Sequence, residues 1–496
     1  MKKINTITIV GGGSSGWMTA LALKNKLKDV HIKLIEDPSI GAIGVGESTT
    51  PPVVHFIEQV LELNPKDWIP ETNASFKVGT EFVGWSDEKF YSTFKVMSNY
   101  DQTKEAWMAK KINYPDTPLS NFFESIFPSV SMIQQDKFDI DLKSNAWAVH
   151  FNAGLFGEYL KGVSIDKGVE YIRGRVDEVF KIPNGDIEYI ILTDGSKVES
   201  DLYIDCTGFG SVLAKTYDNE FKSVNDFLIN NKALVVRKPR NSEEEISVCT
   251  RANTATSGWI WEIPMRTETA IGYVHSPDFI SIDDAKKELL EFADMDDDSD
   301  ILEVNFRSGR YDKAWVRNCV TIGLSGGFLE PLESTGLWFT VHGINELIKS
   351  LSYMDNVGYH STTREVYNRE FAMQFDSVSS FIQLHFIGAH RNDTPYWQYV
   401  TEELEGNEDM MKGLKNVIDN GPHTHIPGFF ETYLWSGITM GLGLTTPEQW
   451  LGRDYKHPDD QQHVDRLDAM SSIMRQGIKN MRTHKEFLNE FIGEIK

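Results

Sequence analysis

The sequence predicts an α/β fold: a Rossmann-like GxGxxG core, a mixed β subdomain set into it, and a largely helical C-terminal substrate cap. Three observations carry this expectation. "INTITIV" (Ile4–Val10) reads as a buried strand running into the turn "GGGSSG". A helix over Trp17–Lys26 and a second strand, "HIKLIE", complete a βαβ opening. Short β-type runs then recur at "GVEYI", "IEYIILT" and "DLYIDCTG", and at "ALVVRKP", "TAIGYVH" and "CVTIGLS", parted by glycine or Pro/Asn breaks. From about Thr335 the pattern changes to long helical stretches such as "REVYNREFAMQFDSVSSFIQLHF". The boundaries drawn are a discontinuous core over 1–350, a β insert at about 85–160 and 215–310, and a helical cap over 351–496.

In the opening turn Gly11, Gly13 and Gly16 form GxGxxG around Ser15, and Glu36 ends the next strand twenty residues after Gly16. The glycines permit a tight turn and close approach of a pyrophosphate to the helix N-terminus, and the acid accepts ribose hydroxyls. A glycine-rich turn alone is weak evidence. With strand, helix and acid in place, it reads as a dinucleotide site, and the acid disfavours a 2′-phosphate without separating NAD from FAD.

Composition narrows the partners. The chain has 496 residues, 40% of them hydrophobic, and a formal net charge of −24. That balance argues against nucleic acid and anionic membranes, both of which reward clustered Lys and Arg, and favours small molecules. "MKK" leads directly into an apolar strand without a signal-peptide cleavage pattern, and no run of about 18 apolar residues occurs, so the expectation is a cytoplasmic protein. Three widely spaced cysteines, Cys206, Cys249 and Cys319, offer neither a disulfide framework nor a metal motif and are expected to be reduced and buried. The acidic run "ADMDDDSD" (Ala293–Asp300) lacks the glycine and terminal Glu of a calcium loop and reads as solvated. "GPHTHIPG" holds an HxH pair, His423 and His425, with no acid or cysteine at ligand spacing, so no metal is expected.

Further glycine-rich segments offer additional approaches of backbone to an extended cofactor: "GAIGVGESTTPP" with Gly46, Glu47 and Ser48, "DLYIDCTGFG", and "CVTIGLSGGF" with Gly323 and Leu324. This arrangement resembles FAD-dependent, monooxygenase-like flavoproteins and so tilts the cofactor toward FAD. In "SGWIWEIP" strand alternation puts Trp259 and Trp261 on one face and Ile260 and Glu262 on the other. In "SFKVG" the same alternation gives Lys77 and Gly79 one face, the glycine leaving room beside the amine. Taken alone, the tryptophans read as sheet-packing aromatics and Lys77 as a solvated side chain.

Together "GWIWEIP", "NASFKVGTEF" (Asn73–Phe82) and "FLEPLESTG" (Phe328–Gly336) resemble the signature segments of flavin-dependent halogenases of the tryptophan-halogenase family. The resemblance extends through "GVGEST", "DCTGFG", "GLSGGF" and "LHFIGAHRNDTPYW", to about residue 400; Gly210 departs from it, standing where relatives often carry arginine. It implies an enzyme in which reduced FAD, delivered by a separate flavin reductase, and O2 oxidise halide to hypohalous acid that reaches an electron-rich aromatic, an indole or a phenol. It implies that Lys77 orients or carries the electrophilic halogen and that Trp259 and Trp261 wall the flavin from the substrate. It implies halide near the backbone of Thr335 and Gly336, and substrate-side catalysis by Glu333. Ser334 or Thr335 precedes the helix-like "LWFTVHGINELIKS" as a candidate cap, so free N–H groups there would attract an anion. Charge compensation at that helix start is the plainer role for Glu333. Self-association is expected from the same resemblance. The competing readings are a flavin monooxygenase or hydroxylase on the same core, and a non-enzymatic protein-escort module.

Overall fold

The computed structural model describes residues 2–41, 46–95, 100–139, 141–142, 146–353, 356–420, 428–447 and 460–493. Two compact units interleave along the chain. The first comprises residues 1–74, 151–226 and 306–376, and the second 75–150, 227–305 and 377–496.

The first unit is built on a six-stranded sheet whose order is Trp315–Val316, Cys319–Thr321, Leu202–Asp205, Thr6–Val10, His31–Glu36 and Glu170–Arg173. Its five longer pairing partners run parallel, and an antiparallel hairpin closes one edge. The central strands are buried on both faces because helices and a second sheet cover them. On one face lies Ser14–Lys26, buried from Gly16 to Leu23. Opposite, Val10, Ile35, Tyr203 and Cys319 pack against Ile187, Ile190, Leu192 and Val198 of a small antiparallel sheet. Helix Gly336–Leu351 belongs to the same unit. The predicted βαβ opening is therefore present, its helix beginning three residues earlier than the apolar pattern indicated.

The second unit holds a seven-stranded sheet in the order Leu302–Asn305, Lys232–Pro239, Glu268–His275, Gly258–Pro264, Cys249–Ala255, Gly79–Val83 and Phe90–Thr93. All its pairings are antiparallel except that of Cys249–Ala255 with Gly79–Val83. One face carries Leu234, Val236, Ile260, Ile271 and Tyr273, against which helix Ile282–Ala293 lays Ala285, Leu289, Leu290 and Ala293. Burying each large apolar side chain there contributes roughly 1.5–3 kcal/mol. Ser281 caps that helix by accepting the Asp284 N–H, and the acidic run that follows lies beyond its left-handed end at Asp294. The C-terminal part of this unit is helical, ending in Asp460–Lys479 and His484–Gly493. All three cysteines are free and buried. Among the described residues no helix is long and apolar enough to cross a membrane.

Candidate active site

The loop after the first strand has the geometry a dinucleotide needs. Gly11 adopts φ +115°, and a side chain on it would run into the Cys206 carbonyl. A Cβ on Gly16 would collide with the Gly11 carbonyl oxygen, so the helix can begin tight against the loop only because that position is glycine. Gly13 occupies the N-cap with no side-chain cap, and a Cβ there would meet nothing within 4 Å. The N-terminus of this helix is thus left without a side-chain cap, as suits the approach of a pyrophosphate. Glu36 lies against Gly12, whose missing side chain makes room for the carboxylate. Lys161 pairs with Glu36 Oε2 at 2.6 Å and lies over the Tyr171 ring at 4.6 Å. The dinucleotide acid is therefore oriented by a lysine 125 residues away, a partner that local sequence does not disclose.

The later glycine segments converge on the same loop. A side chain on Gly323 would strike Ser15 Oγ, which lies 3.1 Å from Thr340 Oγ1, so Ser15, Gly323 and helix Gly336–Leu351 meet. Leu324 lies within the short 3-10 turn Gly323–Ser325. Asp205, absent from the sequence-based site, ties these loops together. Its carboxylate accepts from Thr207 N–H and hydroxyl and from the N–H groups of Leu213 and Ala214. Its own carbonyl accepts from Ile322 N–H and the Ser325 hydroxyl. Burial raises the Asp205 pKa despite those donors. Gly210 ends the turn Gly208–Gly210.

Within this unit Ser334 adopts φ +58° and donates its hydroxyl to Ser48 Oγ at 3.0 Å, joining the "GES" strand Gly46–Ser48 to the "LEST" turn. Glu47, the middle residue of that strand, is half-buried, and shielding from water pushes its carboxyl up to about 7. Thr335 accepts the Phe339 N–H at 3.0 Å through its carbonyl, which makes it, rather than Ser334, the residue at the cap of helix Gly336–Leu351. The Thr335 hydroxyl is buried without a hydrogen-bond partner, and Gly336 beside it faces open space. An orphaned buried donor at a helix N-terminus suits a small anion. Glu333 is 5% exposed, two residues before this cap.

In the second unit Lys77 is fully buried, 0% exposed. It ends the strand Ser75–Lys77, which pairs with Ala148–His150, and its Nζ lies 5.3 Å from the Phe94 ring centroid. The strand is broken after Lys77, and Gly79 opens a different sheet. A Cβ on Gly79 would approach the Ser92 carbonyl oxygen to 2.6 Å, so crowding by the neighbouring strand, rather than room for the amine, accounts for the glycine. Ser75 Oγ donates to the Pro264 carbonyl and lies 3.3 Å from His150 Nδ1, while His150 Nε2 lies 2.9 Å from Thr250 Oγ1. Burial, reinforced by the charge of Lys77, holds His150 well below the usual imidazole range, so it is neutral.

Trp259 and Trp261 share a face, with ring centroids 5.9 Å apart, while Ile260 faces the helix side. Trp261 lies across Gly272 of the neighbouring strand, where any side chain would collide with the indole. The Trp261 Nε1 is buried without a partner. The proline ending this strand thus supplies the carbonyl that fastens the Lys77 segment to the tryptophan segment. Of the aromatics in the cap, Tyr396, Trp397 and Trp435 are buried and Tyr433 is half-buried, whereas His423, His425 and Trp450 lie outside the described residues. Among the described residues no group of three His, Cys, Asp or Glu side chains is placed to hold a metal.

Parallel sheet, glycine loop and ribose acid define a Rossmann-like enzyme of the dinucleotide-cofactor class. Comparison with known proteins specifies the class further. The tryptophan halogenase family pattern matches residues 6–453. Tryptophan 6-halogenase SttH of Streptomyces toxytricini is 34% identical over 482 residues, spanning 88% of this chain and 89% of the relative. Tryptophan 7-halogenase RebH of Lentzea aerocolonigenes is 32% identical over 99% of each chain. The solved structure of Xcc4156, a flavin-dependent halogenase from Xanthomonas campestris, superposes with TM-score 0.89 at 26% identity, over 99% of this chain and 98% of that one. The chain belongs to the tryptophan halogenase family, an oxidoreductase family of flavin-dependent halogenases. Membership implies FAD as cofactor and halide as a substrate.

Proposed function

We propose that the chain is an FADH2-dependent halogenase in which Lys77 directs hypohalous acid onto an electron-rich aromatic, an indole or a phenol. The observation that carries this reading is a lysine 0% exposed, fastened through Ser75 and Pro264 to the tryptophan strand. When bound, reduced FAD would supply two of the electrons that reduce O2, one oxygen leaving as water while the other takes two electrons from halide to give hypohalous acid. Gly11, Gly13, Ser15, Gly16 and Glu36, with Gly46, Glu47, Ser48, Gly323 and Leu324, are the residues to hold it. Thr335 and Gly336 hold the halide by helix N–H groups and the orphan hydroxyl.

Lys77 then either donates a hydrogen bond to hypohalous acid or, as a neutral amine, carries the halogen as a haloamine, its N–halogen bond forming as the halogen–oxygen bond breaks and water leaves. Trp259 and Trp261 form an apolar wall that hinders direct oxygen transfer. As the carbon–halogen bond forms on the ring, Glu333 takes the proton that leaves the same carbon, or polarises the oxidant. The tryptophan halogenases SttH and RebH, named for their action on an indole, support an indole as the first substrate to try. A separate flavin reductase supplies reduced FAD, cofactor work falls to the first unit and substrate work to the cap, and copies of the chain self-associate.

The test is aerobic turnover with FAD, a flavin reductase and NADH, against a panel of indoles and phenols with chloride, bromide and iodide in parallel, read by mass spectrometry. Halogen-sized mass gains that require O2 and halide are expected. Oxygen insertion without halogen would instead establish a monooxygenase.

A further inference from the structure

The last helix of the chain reaches the Lys77 segment through one imidazole. On the edge of Ser75–Lys77 opposite Ala148–His150, the N–H of Val78 donates to the Val248 carbonyl at 2.8 Å. This leads into the parallel pairing of Gly79–Val83 with Cys249–Ala255. One rung earlier a parallel ladder would join Phe76 N–H to the Ile246 carbonyl. Instead His484 occupies that rung. Its Nε2 accepts the Phe76 N–H at 2.9 Å and its Nδ1 lies 3.0 Å from the Ile246 carbonyl. A ring nitrogen that accepts from an amide carries no proton, so the proton is on Nδ1 and is donated to Ile246. The imidazole thus completes a rung where the two strands have parted.

His484 is 0% exposed and opens helix His484–Gly493, whose Phe487 and Phe491 pack edge-on against the Phe76 ring. Asp136 anchors it from the other side, its carbonyl accepting the His484 N–H at 2.8 Å. Burial brings the imidazole down to about 4, in keeping with the neutral form that the two bonds require.

We propose that His484 is a positioning residue for Lys77: by splicing the gap between Phe76 and Ile246 it fixes the backbone on the N-terminal side of the lysine. The inference rests on the reading that Lys77 directs the halogen. Lys77 lies between Phe76, held by His484, and Val78, held by Val248, so both neighbouring N–H groups are pinned. Losing the first pin lets the amine shift while the second unit's sheet stays intact.

The experiment measures halogenated product per FADH2 oxidised, and hypohalous acid trapped in solution, for the full chain and for Lys77→Ala, His484→Leu, His484→Gln and His484→Asn. His484→Leu is expected to lower product per flavin by about tenfold to hundredfold, as misplacement of a reacting group by about 1 Å does, and to release trappable hypohalous acid. Flavin oxidation and FAD affinity stay near wild type. Glutamine, whose carbonyl reaches the Phe76 N–H, restores most of the coupling; asparagine, too short to reach it, does not. Should the leucine variant fail to fold, the glutamine and asparagine pair decides the matter. Equal coupling in these two folded variants, or wild-type coupling in a folded leucine variant, overturns the proposal. Full halogenation by Lys77→Ala overturns the role of Lys77 and with it the inference.

Discussion

The two units build their sites from different materials. In the first, the cofactor loop is a matter of backbone: Gly11 in a left-handed conformation, Gly16 against the Gly11 carbonyl, and uncapped N–H groups behind Gly13. In the second, the groups to which the proposed function turns are buried side chains: Lys77 and the Trp259–Trp261 pair, with the imidazoles of His150 and His484 near them. If the proposed function holds, the difference makes cofactor binding and halogen direction separately breakable.

The largest separation is expected at Lys77. Lys77→Ala should lower halogenation by about a thousandfold, the size of a lost catalytic proton donor, while FADH2 consumption by O2 stays within a few fold. Lys77→Arg sharpens the test, because arginine keeps a donor but cannot act as a neutral amine; activity in it would favour hydrogen bonding over a haloamine.

Next in size is the converse lesion. Gly16→Ala places a methyl against the Gly11 carbonyl and should weaken FAD binding by about a hundredfold, near 3 kcal/mol, as read by flavin fluorescence titration. Flavin oxidation and halogenation then fall together. A smaller effect, on stability, is expected at Gly272→Ala, where the methyl meets the Trp261 indole. Overpacking of this kind costs about 1–3 kcal/mol in chemical denaturation and leaves FAD affinity unchanged.

The smallest effects lie in the pH dependence, which differs in sign between the units. His484, brought down to about 4 by burial, and His150, held well below its ordinary value, bind protons more readily unfolded than folded. The share of His484 is present above about 6.5 and is lost as the pH falls toward 4, and that of His150 is lost in the same direction as the pH falls below about 6.5. Glu47, raised to about 7, binds its proton more readily when folded. Its share is present below about 4.5 and is lost as the pH rises through 7. Denaturant unfolding at pH 5 and pH 7.5 should show Glu47→Gln removing a loss at the higher pH without touching the loss at the lower.

The same contrast explains what the sequence disclosed. Glycine spacing reports backbone geometry directly, so the loop of Gly11, Gly13 and Gly16 and the position of Glu36 were legible, as were the strands on either side. Strand alternation likewise placed Trp259 and Trp261 on one face and Ile260 on the other. Lys161 was not legible, because its pairing with Glu36 spans 125 residues. His484 is 408 residues from the amide it accepts, and nothing around it in sequence marks it as a strand partner. Gly79 was misread because alternation presumes one continuous strand, whereas the chain changes sheets after Lys77. Asp205 could have been found: an acid ending a buried strand just before Thr-Gly has loop N–H groups within reach.

The most direct test of the account compares Lys77→Ala with Gly16→Ala in one assay that counts FADH2 oxidised and halogenated product formed. The account predicts that the glycine variant loses both in proportion, whereas the lysine variant oxidises FADH2 at close to the wild-type rate and forms almost no halogenated product. Undiminished product from Lys77→Ala would contradict it.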